Sequence, residues 1–292
     1  MWFPFRKGWS GSTGSARGNG VYTKLSFIQR SETMQDVFSE FFSLKGKTAV
    51  ITGSGRGIGK AIATMLARAG ADVVIWDIIR ENAEATAKEI TESTGQKTWV
   101  YLGDLLQQEK IKEYVQDILA LCGKVDILVN NAGVQVRKPA LEITIEEWYR
   151  VLNTHLTATF LVTQAFVPHF IQRGGGKVIN LGSLNCFMAV PDIMPYVASK
   201  MGILGLTRSM CVEWSKYNIN VNALAPGFVA TELTRKLFEN PEKKEWVMKR
   251  IPMGRLADPE KDLGCLAIFL ASKASDYING QIIYSDGGWT AA

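Results

Sequence analysis

Apolar positions along the chain alternate between short β-branched runs and longer stretches of helical periodicity from Lys45 onward. The short runs span residues 48–52, 73–76, 98–102, 127–129, 178–181, 219–223 and 282–284. They are almost wholly apolar, as in strands covered on both faces. Helical patterns lie between them, near residues 58–69, 80–93, 107–121, 145–171, 196–215 and 259–271. This order is typical of βαβ units and predicts an α/β protein.

The alternation continues to the C-terminus without a break in composition, so we predict one domain over residues 45–292. It should be a doubly wound, Rossmann-like domain, with a mostly parallel seven-stranded sheet and helices on both faces. Thr144 and Glu147 are spaced as a capping box, which predicts that the fourth helix begins there.

The first 44 residues differ from this body and are predicted to form a disordered extension. The segment is rich in glycine and serine, and its first 31 residues contain five basic side chains and no acidic one. It lacks the apolar core of a secretory signal. An organelle transit peptide or a mis-assigned start, with Met34 as the true first residue, are the alternatives.

Charge and cysteine content exclude several kinds of partner. The net charge of +5 arises in the N-terminal segment, since the remaining 261 residues contain 28 basic and 28 acidic side chains. A neutral body argues against nucleic acid as a partner. The four cysteines are far apart and form no C-x-x-C pair, which argues against a bound metal and for a reducing, cytoplasmic location. No apolar run is long enough to cross a membrane.

A glycine-rich turn, residues 52–59 with the sequence TGSGRGIG, follows the first predicted strand and precedes a helix. Glycines allow close approach to a pyrophosphate, and the helix N-terminus offers unpaired N–H groups. Asp77 ends the second strand, where its carboxylate would bind ribose hydroxyls and repel a 2′-phosphate. This predicts NAD as cofactor, although Arg56 or Arg80 could accommodate the phosphate of NADP. Taken alone, the turn could also be an ordinary strand-to-helix loop.

Tyr196 and Lys200 lie four residues apart on a helical pattern and therefore share a face. A free tyrosine has a pKa of about 10, too high for a base at neutral pH. An ammonium about 4–5 Å away would favour the phenolate by roughly 3–4 kcal/mol, which lowers the pKa by about 2–3 units. We therefore predict that Tyr196 is a general base tuned by Lys200. A surface Tyr-Lys pair is the alternative.

Five motifs, taken in order, resemble those of the short-chain dehydrogenases/reductases. They are Thr52-Gly53-x-x-x-Gly57-x-Gly59, Asn130-Asn131-Ala132-Gly133, Ser183, Tyr196-x-x-x-Lys200 and Pro226-Gly227. The likeness covers residues 45–292 and implies an oxidoreductase that acts on a CH–OH group with NAD or NADP. It also implies that the protein is a homotetramer. Ser183 would then hydrogen-bond the reacting oxygen, and Lys200 would also hold the nicotinamide ribose.

The same resemblance implies which residues bind the cofactor. Asp104 would meet the adenine ring, residues 130–133 would close over the adenosine side, and Thr231 would touch the nicotinamide amide. The predicted cofactor-binding set is Gly53, Ser54, Arg56, Gly57, Ile58, Gly59, Asp77, Asp104, Leu105, Asn131, Ala132, Gly133, Tyr196, Lys200, Pro226, Gly227, Val229 and Thr231.

One position departs from the family. His155 stands where the family usually has an asparagine, whose main-chain carbonyl binds a relay water. A packed histidine with that water intact is the first interpretation. The second is a titrating imidazole, which makes His155 a candidate catalytic residue beside Ser183, Tyr196 and Lys200. Loss of activity is the third.

The substrate is suggested by further motifs, which resemble sugar-acid oxidoreductases of the gluconate 5-dehydrogenase and 2-deoxy-D-gluconate 3-dehydrogenase kind. These motifs are residues 131–139, 251–255, 275–280 and 286–289. Arg137 could bind a carboxylate and Gln135 a hydroxyl, so they join Ser183 and Tyr196 as predicted substrate residues. A solvated loop is the alternative for Arg137 and Lys138. Residues 232–249 are predicted to form a helical lid.

Two other functions stay open on sequence grounds. One is a short-chain reductase of another carbonyl, such as a 3-oxoacyl thioester or a simple sugar. The other is a non-catalytic NAD-binding scaffold that keeps the fold. NADPH use would favour the first, and absence of turnover would favour the second.

Overall fold

The computed structural model describes residues 34–231, 234 and 238–291. Seven strands in this part of the chain form one parallel sheet, as predicted. They are β1 (Thr48–Thr52), β2 (Asp72–Asp77), β3 (Thr98–Leu102), β4 (Ile127–Asn130), β5 (Gly176–Leu181), β6 (Ile219–Pro226) and β7 (Ile282–Ser285). Each lies on a predicted run. Strand β6 continues three residues beyond its run because Leu224 and Pro226 pair with β7.

The strand order is β3-β2-β1-β4-β5-β6-β7, so the chain reverses direction across the sheet between β1 and β4. Such a reversal opens a crevice at the carboxyl ends of the strands, where doubly wound folds bind their ligands. The topology therefore places the ends of β1 and β4 at the expected ligand site.

The helices of the described residues lie on the predicted patterns, with one addition at the N-terminus. They are α1 (Met34–Phe41), α2 (Gly57–Arg68), α3 (Arg80–Thr94), α4 (Ile111–Cys122), α5 (Ile145–Leu152), α6 (Ala158–Gln172), α7 (Met194–Trp214), α8 (Pro241–Met248) and α9 (Cys265–Ala271). The capping box is confirmed: Thr144 Oγ1 accepts from the Glu147 N–H, and the Glu147 carboxylate accepts from the Thr144 N–H. None of these helices is both long and apolar enough to span a bilayer.

The single helix predicted over residues 145–171 is interrupted by a π-helical turn, Asn153–Thr157. Hydroxyl groups bond to the main chain on either side of it. Thr154 Oγ1 donates to the Arg150 carbonyl and Thr159 Oγ1 donates to the His155 carbonyl. Side-chain bonds of this kind compete with regular helical bonding, and hydrophobic periodicity does not register them.

The core has two layers, one on each face of the sheet. In β1, Val50 belongs to one layer and Ile51 to the other, because successive side chains of a strand point to opposite faces. Helices α2, α3 and α9 cover the face of Ile51, whereas α4, α6 and α7 cover the face of Val50. The strands are thus buried on both sides, as their unbroken apolar runs indicate.

Residues 34–41 fall in the predicted disordered extension but are instead helical, as α1. The Phe42 ring that follows packs against Phe269 of α9, with ring centroids 6.4 Å apart. Leu44 is buried, and its N–H donates to the Ala69 carbonyl at 2.8 Å. These contacts bring the segment up to β1 onto the domain. The rest of the predicted extension, residues 1–33, lies outside the described residues.

Candidate active site

The glycine turn joins β1 to the N-terminus of α2. Gly53 and Gly57 have φ values of 64° and 60°, the left-handed region that favours glycine. A Cβ on Gly59 would overlap the carbonyl oxygen of Gly53 and the side-chain amide of Asn131. The helix therefore begins directly against the turn, and its first N–H groups lack intrahelical partners. A turn of this shape suits a pyrophosphate.

Asp77 at the end of β2 is fixed beside this turn by main-chain donors. Its Oδ2 accepts from the Gly55 N–H at 2.8 Å, and its Oδ1 accepts from the Ile78 and Ile79 N–H groups at 2.8 and 3.1 Å. Arg80, the neighbouring cation, pairs instead with Glu84 at 3.0 Å. The Asp77 carboxylate is thus a negative charge held in a fixed position beside the glycine turn.

The loop after β4 and the glycine turn form one hydrogen-bonded unit. The Asn131 side-chain amide donates to the Thr52 and Gly53 carbonyls at 2.9 and 2.8 Å. Thr52 Oγ1 accepts from the N–H groups of Asn131 and Ala132 at 3.0 and 3.1 Å. Thr52 therefore links the glycine turn to the loop after β4. Its position in the motif did not indicate this role, because the bonded residues lie about 80 positions apart in sequence.

Other predicted cofactor residues also lie at the carboxyl ends of the strands. Asp104 follows β3 and its Oδ1 accepts from the Leu106 N–H at 2.9 Å, while the Leu105 side chain is buried in the core layer on the Val50 face. Gly227 follows β6, and a Cβ there would lie 2.7 Å from Cα of Asp286. At and beyond the end of β6 lie Pro226, Val229 and Thr231. The glycine turn and the start of α2 contain Ser54, Arg56 and Ile58.

Ser183, Tyr196 and Lys200 converge between β5 and α7. Ser183 follows β5 and lies beside the Tyr196 hydroxyl, where its hydroxyl acts to lower the tyrosine pKa. Lys200 Nζ lies 5.5 Å from the centre of the Tyr196 ring and donates to the Leu181 carbonyl at 2.6 Å. The lysine is 4% exposed, which does not fit the alternative of a surface Tyr-Lys pair.

Burial sets the protonation of this set differently from the sequence-based expectation. It raises the pKa of Tyr196 to about 12, against the smaller lowering effect of the Ser183 hydrogen bond. Burial also lowers the pKa of Lys200 to about 8. The expected lowering of the tyrosine pKa is therefore not seen in the protein alone, because a low-dielectric site disfavours phenolate and ammonium alike. Tyr196 is a phenol at neutral pH and can donate a proton.

His155 lies in the π-helical turn and is 4% exposed. Its Nε2 is 2.7 Å from the Val134 carbonyl oxygen and 3.1 Å from the Val134 nitrogen. Its ring meets the Tyr196 ring edge to face, with centroids 5.2 Å apart. Burial, and then the charge of Lys200, lower the pKa of His155 to about 3. The imidazole is neutral at physiological pH, which favours a packed histidine over a titrating one.

The predicted substrate residues occupy the loop that continues from residue 133. Gln135 is half-buried and Arg137 is exposed. Lys138 Nζ pairs with the capping Glu147 at 2.5 Å, and its N–H donates to the Asp192 carbonyl at 2.9 Å. Lys138 therefore anchors the loop between α5 and the segment that leads into α7.

Two supporting features escaped the sequence analysis. Asn185 is 5% exposed, and its Oδ1 accepts from Ser183 Oγ at 3.2 Å. The Asn185 N–H in turn donates to Ser183 Oγ at 3.1 Å. A polar residue two positions after a serine is a recognised turn signal, so Asn185 could have been found. The second feature is the contact of Trp289 Nε1 with the Met188 sulfur at 2.9 Å, which no local signal marks.

The helical lid is described only in part. Residues 232, 233 and 235–237 lie outside the described residues, whereas α8 is helical as predicted. Trp246 of α8 packs on Trp289 with ring centroids 5.6 Å apart, and Trp289 packs on Phe228 at 5.0 Å. Val247 is 1% exposed in the same cluster. The C-terminal segment thus holds α8 against the loop after β6.

A glycine-rich turn of the dinucleotide-binding type and the Ser183, Tyr196 and Lys200 set lie at the carboxyl ends of the parallel strands. Together they define an NAD(P)-dependent oxidoreductase. Residues 53–290 match the family model described as enoyl-(acyl carrier protein) reductase. The chain is 41% identical to the 5-keto-D-gluconate 5-reductase of Escherichia coli K12, over 87% of this chain and 99% of that protein. It is also 41% identical to the 2-dehydro-3-deoxy-D-gluconate 5-dehydrogenase of the same organism, over 86% and 98%.

A similar solved structure is the gluconate 5-dehydrogenase of Burkholderia cenocepacia J2315 in complex with NADP and tartrate. It matches with a TM-score of 0.82 and 41% identity over 86% of this chain and 98% of that one. The protein belongs to the short-chain dehydrogenase/reductase family.

Proposed function

We propose that this protein transfers hydride between a nicotinamide cofactor, NAD in preference to NADP, and a secondary alcohol or ketone of a gluconate-like sugar acid. The observation that carries the proposal is the convergence of Ser183, Tyr196 and Lys200 on the edge that bears the glycine turn. The presence of all three side chains in one buried region argues against the alternative of a non-catalytic scaffold.

The residues of the turn fit a dinucleotide. A Cβ at Gly53, Gly55 or Gly59 would lie too close to neighbouring main-chain or side-chain atoms. Because these positions are glycine, the turn is compact enough for its N–H groups to reach a pyrophosphate. The fixed Asp77 carboxylate would accept the ribose hydroxyls and repel a 2′-phosphate, which supports the preference for NAD. When bound, the nicotinamide ring supplies the hydride acceptor or donor.

The chain's own groups handle the proton. In the direction of reduction, the Tyr196 phenol donates its proton to the ketone oxygen, and Ser183 Oγ donates a hydrogen bond to the same oxygen as negative charge develops there. In the direction of oxidation, the tyrosine must first lose that proton, a loss that burial of the phenol opposes. The Asn185 N–H, which donates to Ser183 Oγ, holds the serine in place for either direction and leaves the serine hydrogen available.

The substrate class is supported by the names of the relatives and by the charge of one loop. Arg137 is exposed on the loop that leaves the proposed cofactor site, where its planar guanidinium could bind a carboxylate at two points. Gln135 on the same loop could bind a hydroxyl. Lys138 is already paired with Glu147, which leaves Arg137 as the cation we assign to the sugar acid.

The second candidate is a reductase of an acyl thioester, because the family model that matches residues 53–290 is described as enoyl-(acyl carrier protein) reductase. The decisive experiment is a panel of gluconate, keto- and deoxygluconates, a neutral polyol and a 3-oxoacyl thioester, each with NAD(H) and NADP(H). We expect the highest kcat/KM for a sugar acid with NAD(H). A higher kcat/KM for the thioester would overturn the assignment.

A matched variant tests the role of Arg137. Arg137→Gln should raise KM for the sugar acid about tenfold, because it removes a charge-assisted bidentate contact, and should leave KM for the neutral polyol unchanged. An equal effect on both would remove Arg137 from the substrate site.

Assembly and location follow as lesser proposals. We propose a homotetramer in the cytoplasm, on the basis of the family resemblance and of four cysteines that are all free thiols. We also propose that residues 232–249 close over the substrate, because α8 is held beside the loop after β6. Light scattering of the purified protein, cell fractionation and protection of α8 from proteolysis by substrate test these three points.

A further inference from the structure

His155 is unusual among the buried side chains of the described residues. Its Nδ1 is the one buried side-chain nitrogen or oxygen there that has no hydrogen-bond partner. Its other ring nitrogen, Nε2, lies within hydrogen-bond distance of both main-chain groups of Val134. The imidazole thus makes its polar contacts on one side only, with the main chain of a loop.

Nε2 of His155 can bond the Val134 main chain in either tautomer of the neutral ring. A protonated Nε2 would donate to the Val134 carbonyl oxygen, which lies 2.7 Å away, and a bare Nε2 would accept from the Val134 N–H, whose nitrogen lies 3.1 Å away. Either bond ties the π-helical turn to the loop that begins at Asn131.

Gly133 shows how closely the ring is seated. A Cβ built on Gly133 would overlap Cε1 of His155 and lie 3.0 Å from each ring nitrogen. The φ angle of Gly133 is not in the left-handed region, so its backbone conformation does not require glycine. Contact with the imidazole is what excludes a side chain at residue 133. The imidazole also packs against Tyr196, whose ring it meets edge to face with the ring centroids 5.2 Å apart.

We propose that His155 is a positioning residue, which holds the Gly133–Val134 main chain and packs against the Tyr196 ring while staying neutral. The inference rests on the proposed function for its kinetic consequences. The charged and titratable groups nearest the ring are Lys200 and Tyr196, and neither offers the imidazole an anion that would stabilise its protonated form.

The seating of the ring is tested by thermal unfolding, without any need for activity. Gly133→Ala should lower Tm by about 5 °C or more in the wild-type chain, since the overlap with His155 must be relieved. In a His155→Ala chain, the same substitution should change Tm by less than about 2 °C. Gly205→Ala is the control, because no neighbour lies within 4 Å of a Cβ there. An equal loss of Tm in both backgrounds would refute the contact.

The positioning role is tested by His155→Phe, which keeps the aromatic edge but cannot bond Val134. We expect the Kd for NADH, measured by fluorescence, to rise about tenfold and kcat to fall by a similar factor. His155→Asn, whose amide can donate to a carbonyl, should recover most of both. The pH profile of kcat/KM should keep its shape in each variant.

Other results have distinct meanings. A limb of the wild-type profile near pH 6.5 that disappears in His155→Asn would make the histidine a titrating group and overturn the proposal. An unchanged Kd and kcat in His155→Phe would do the same. Absence of turnover on the whole substrate panel, with the NADH affinities and Tm values as expected, would instead count against the proposed function and leave the positioning role intact.

Discussion

The proposed cofactor side and the proposed substrate side of the site are built in different ways. On the cofactor side, the glycine turn, Asp77 and Asn131 are joined by short bonds to main-chain groups. On the substrate side, α8 is held by aromatic packing around Trp289, which lies more than 40 residues away in sequence. The first region depends on backbone shape and is constrained by glycines and one carboxylate. The second depends on side-chain volume and can vary without altering the fold.

Between the two regions, the catalytic set should show the largest effect. Tyr196→Phe removes the proton donor and should lower kcat by 10² to 10⁴-fold, the usual contribution of a general acid or base. The fold and the glycine turn are untouched, so the Kd for NADH should change by less than about threefold. The measurement is stopped-flow turnover beside fluorescence titration. Retention of more than about a tenth of wild-type kcat would exclude Tyr196 as the proton donor.

On the cofactor side, Asp77→Ala should weaken NAD binding and relax discrimination against NADP. The ratio of kcat/KM for NAD⁺ over NADP⁺ should fall by about 10²-fold, because the carboxylate both accepts ribose hydroxyls and repels phosphate. Glu84→Ala is a useful control, since it releases Arg80 without touching Asp77. A wild-type protein that is already more efficient with NADP⁺ would show that the fixed carboxylate does not set the preference.

The pH dependence of stability reports on His155, which lies between the two regions. Its folded pKa of about 3 is below the ordinary value of 6.5, so the unfolded chain binds its proton first as pH falls. The contribution to the free energy of unfolding is fully present above pH 6.5 and is lost progressively towards pH 3. Between pH 7 and 5 the loss should be about 2 kcal/mol. Urea unfolding of wild type and His155→Asn at both values should show a smaller pH dependence in the variant.

On the substrate side, Trp289→Ala should raise KM for the substrate about tenfold through loss of the packing that holds α8, a large-to-small change in a small cluster. The NADH affinity should fall less than KM rises, because the cluster meets the predicted cofactor residues through Phe228, the neighbour of Gly227, and not through Asp77 or the glycine turn. Trp246→Phe, which keeps an aromatic ring on α8, should retain most of the activity. A parallel loss of NADH affinity would show that the two regions are coupled.

The smallest effect is expected at the N-terminus. A chain that starts at Met34 should keep the stability and kcat/KM of the full chain, because the sequence of residues 1–33 has no periodic apolar pattern with which to join the core. Such a chain keeps Phe42 and Leu44, which pack on the domain. A chain that starts at residue 45 loses Leu44 from the core and should be less stable by about 1–3 kcal/mol. Chemical unfolding of the three chains measures this. A loss of turnover in the Met34 chain would give residues 1–33 a role in the domain.

Much of the fold could be predicted because its determinants are local. The apolar runs of the seven strands, the glycine spacing and the Thr144 capping box are each set by nearby residues, and the structure bears them out. Tyr196 and Lys200 could be paired from their spacing alone. The π-helical turn could not be predicted, because the pattern of apolar residues does not distinguish π-helical from α-helical hydrogen bonding.

The sequence by itself determined the order of the elements, the family and the chemical types of the groups at the site. Only the tertiary structure decided their protonation and seating. Burial, which no local pattern measures, keeps Tyr196 a phenol and His155 neutral. Packing across distant segments decided that Gly133 must make room for an imidazole and that Trp289 supports α8. The physical reason is that desolvation and close packing are properties of the three-dimensional neighbourhood, which forms only when residues far apart in sequence meet.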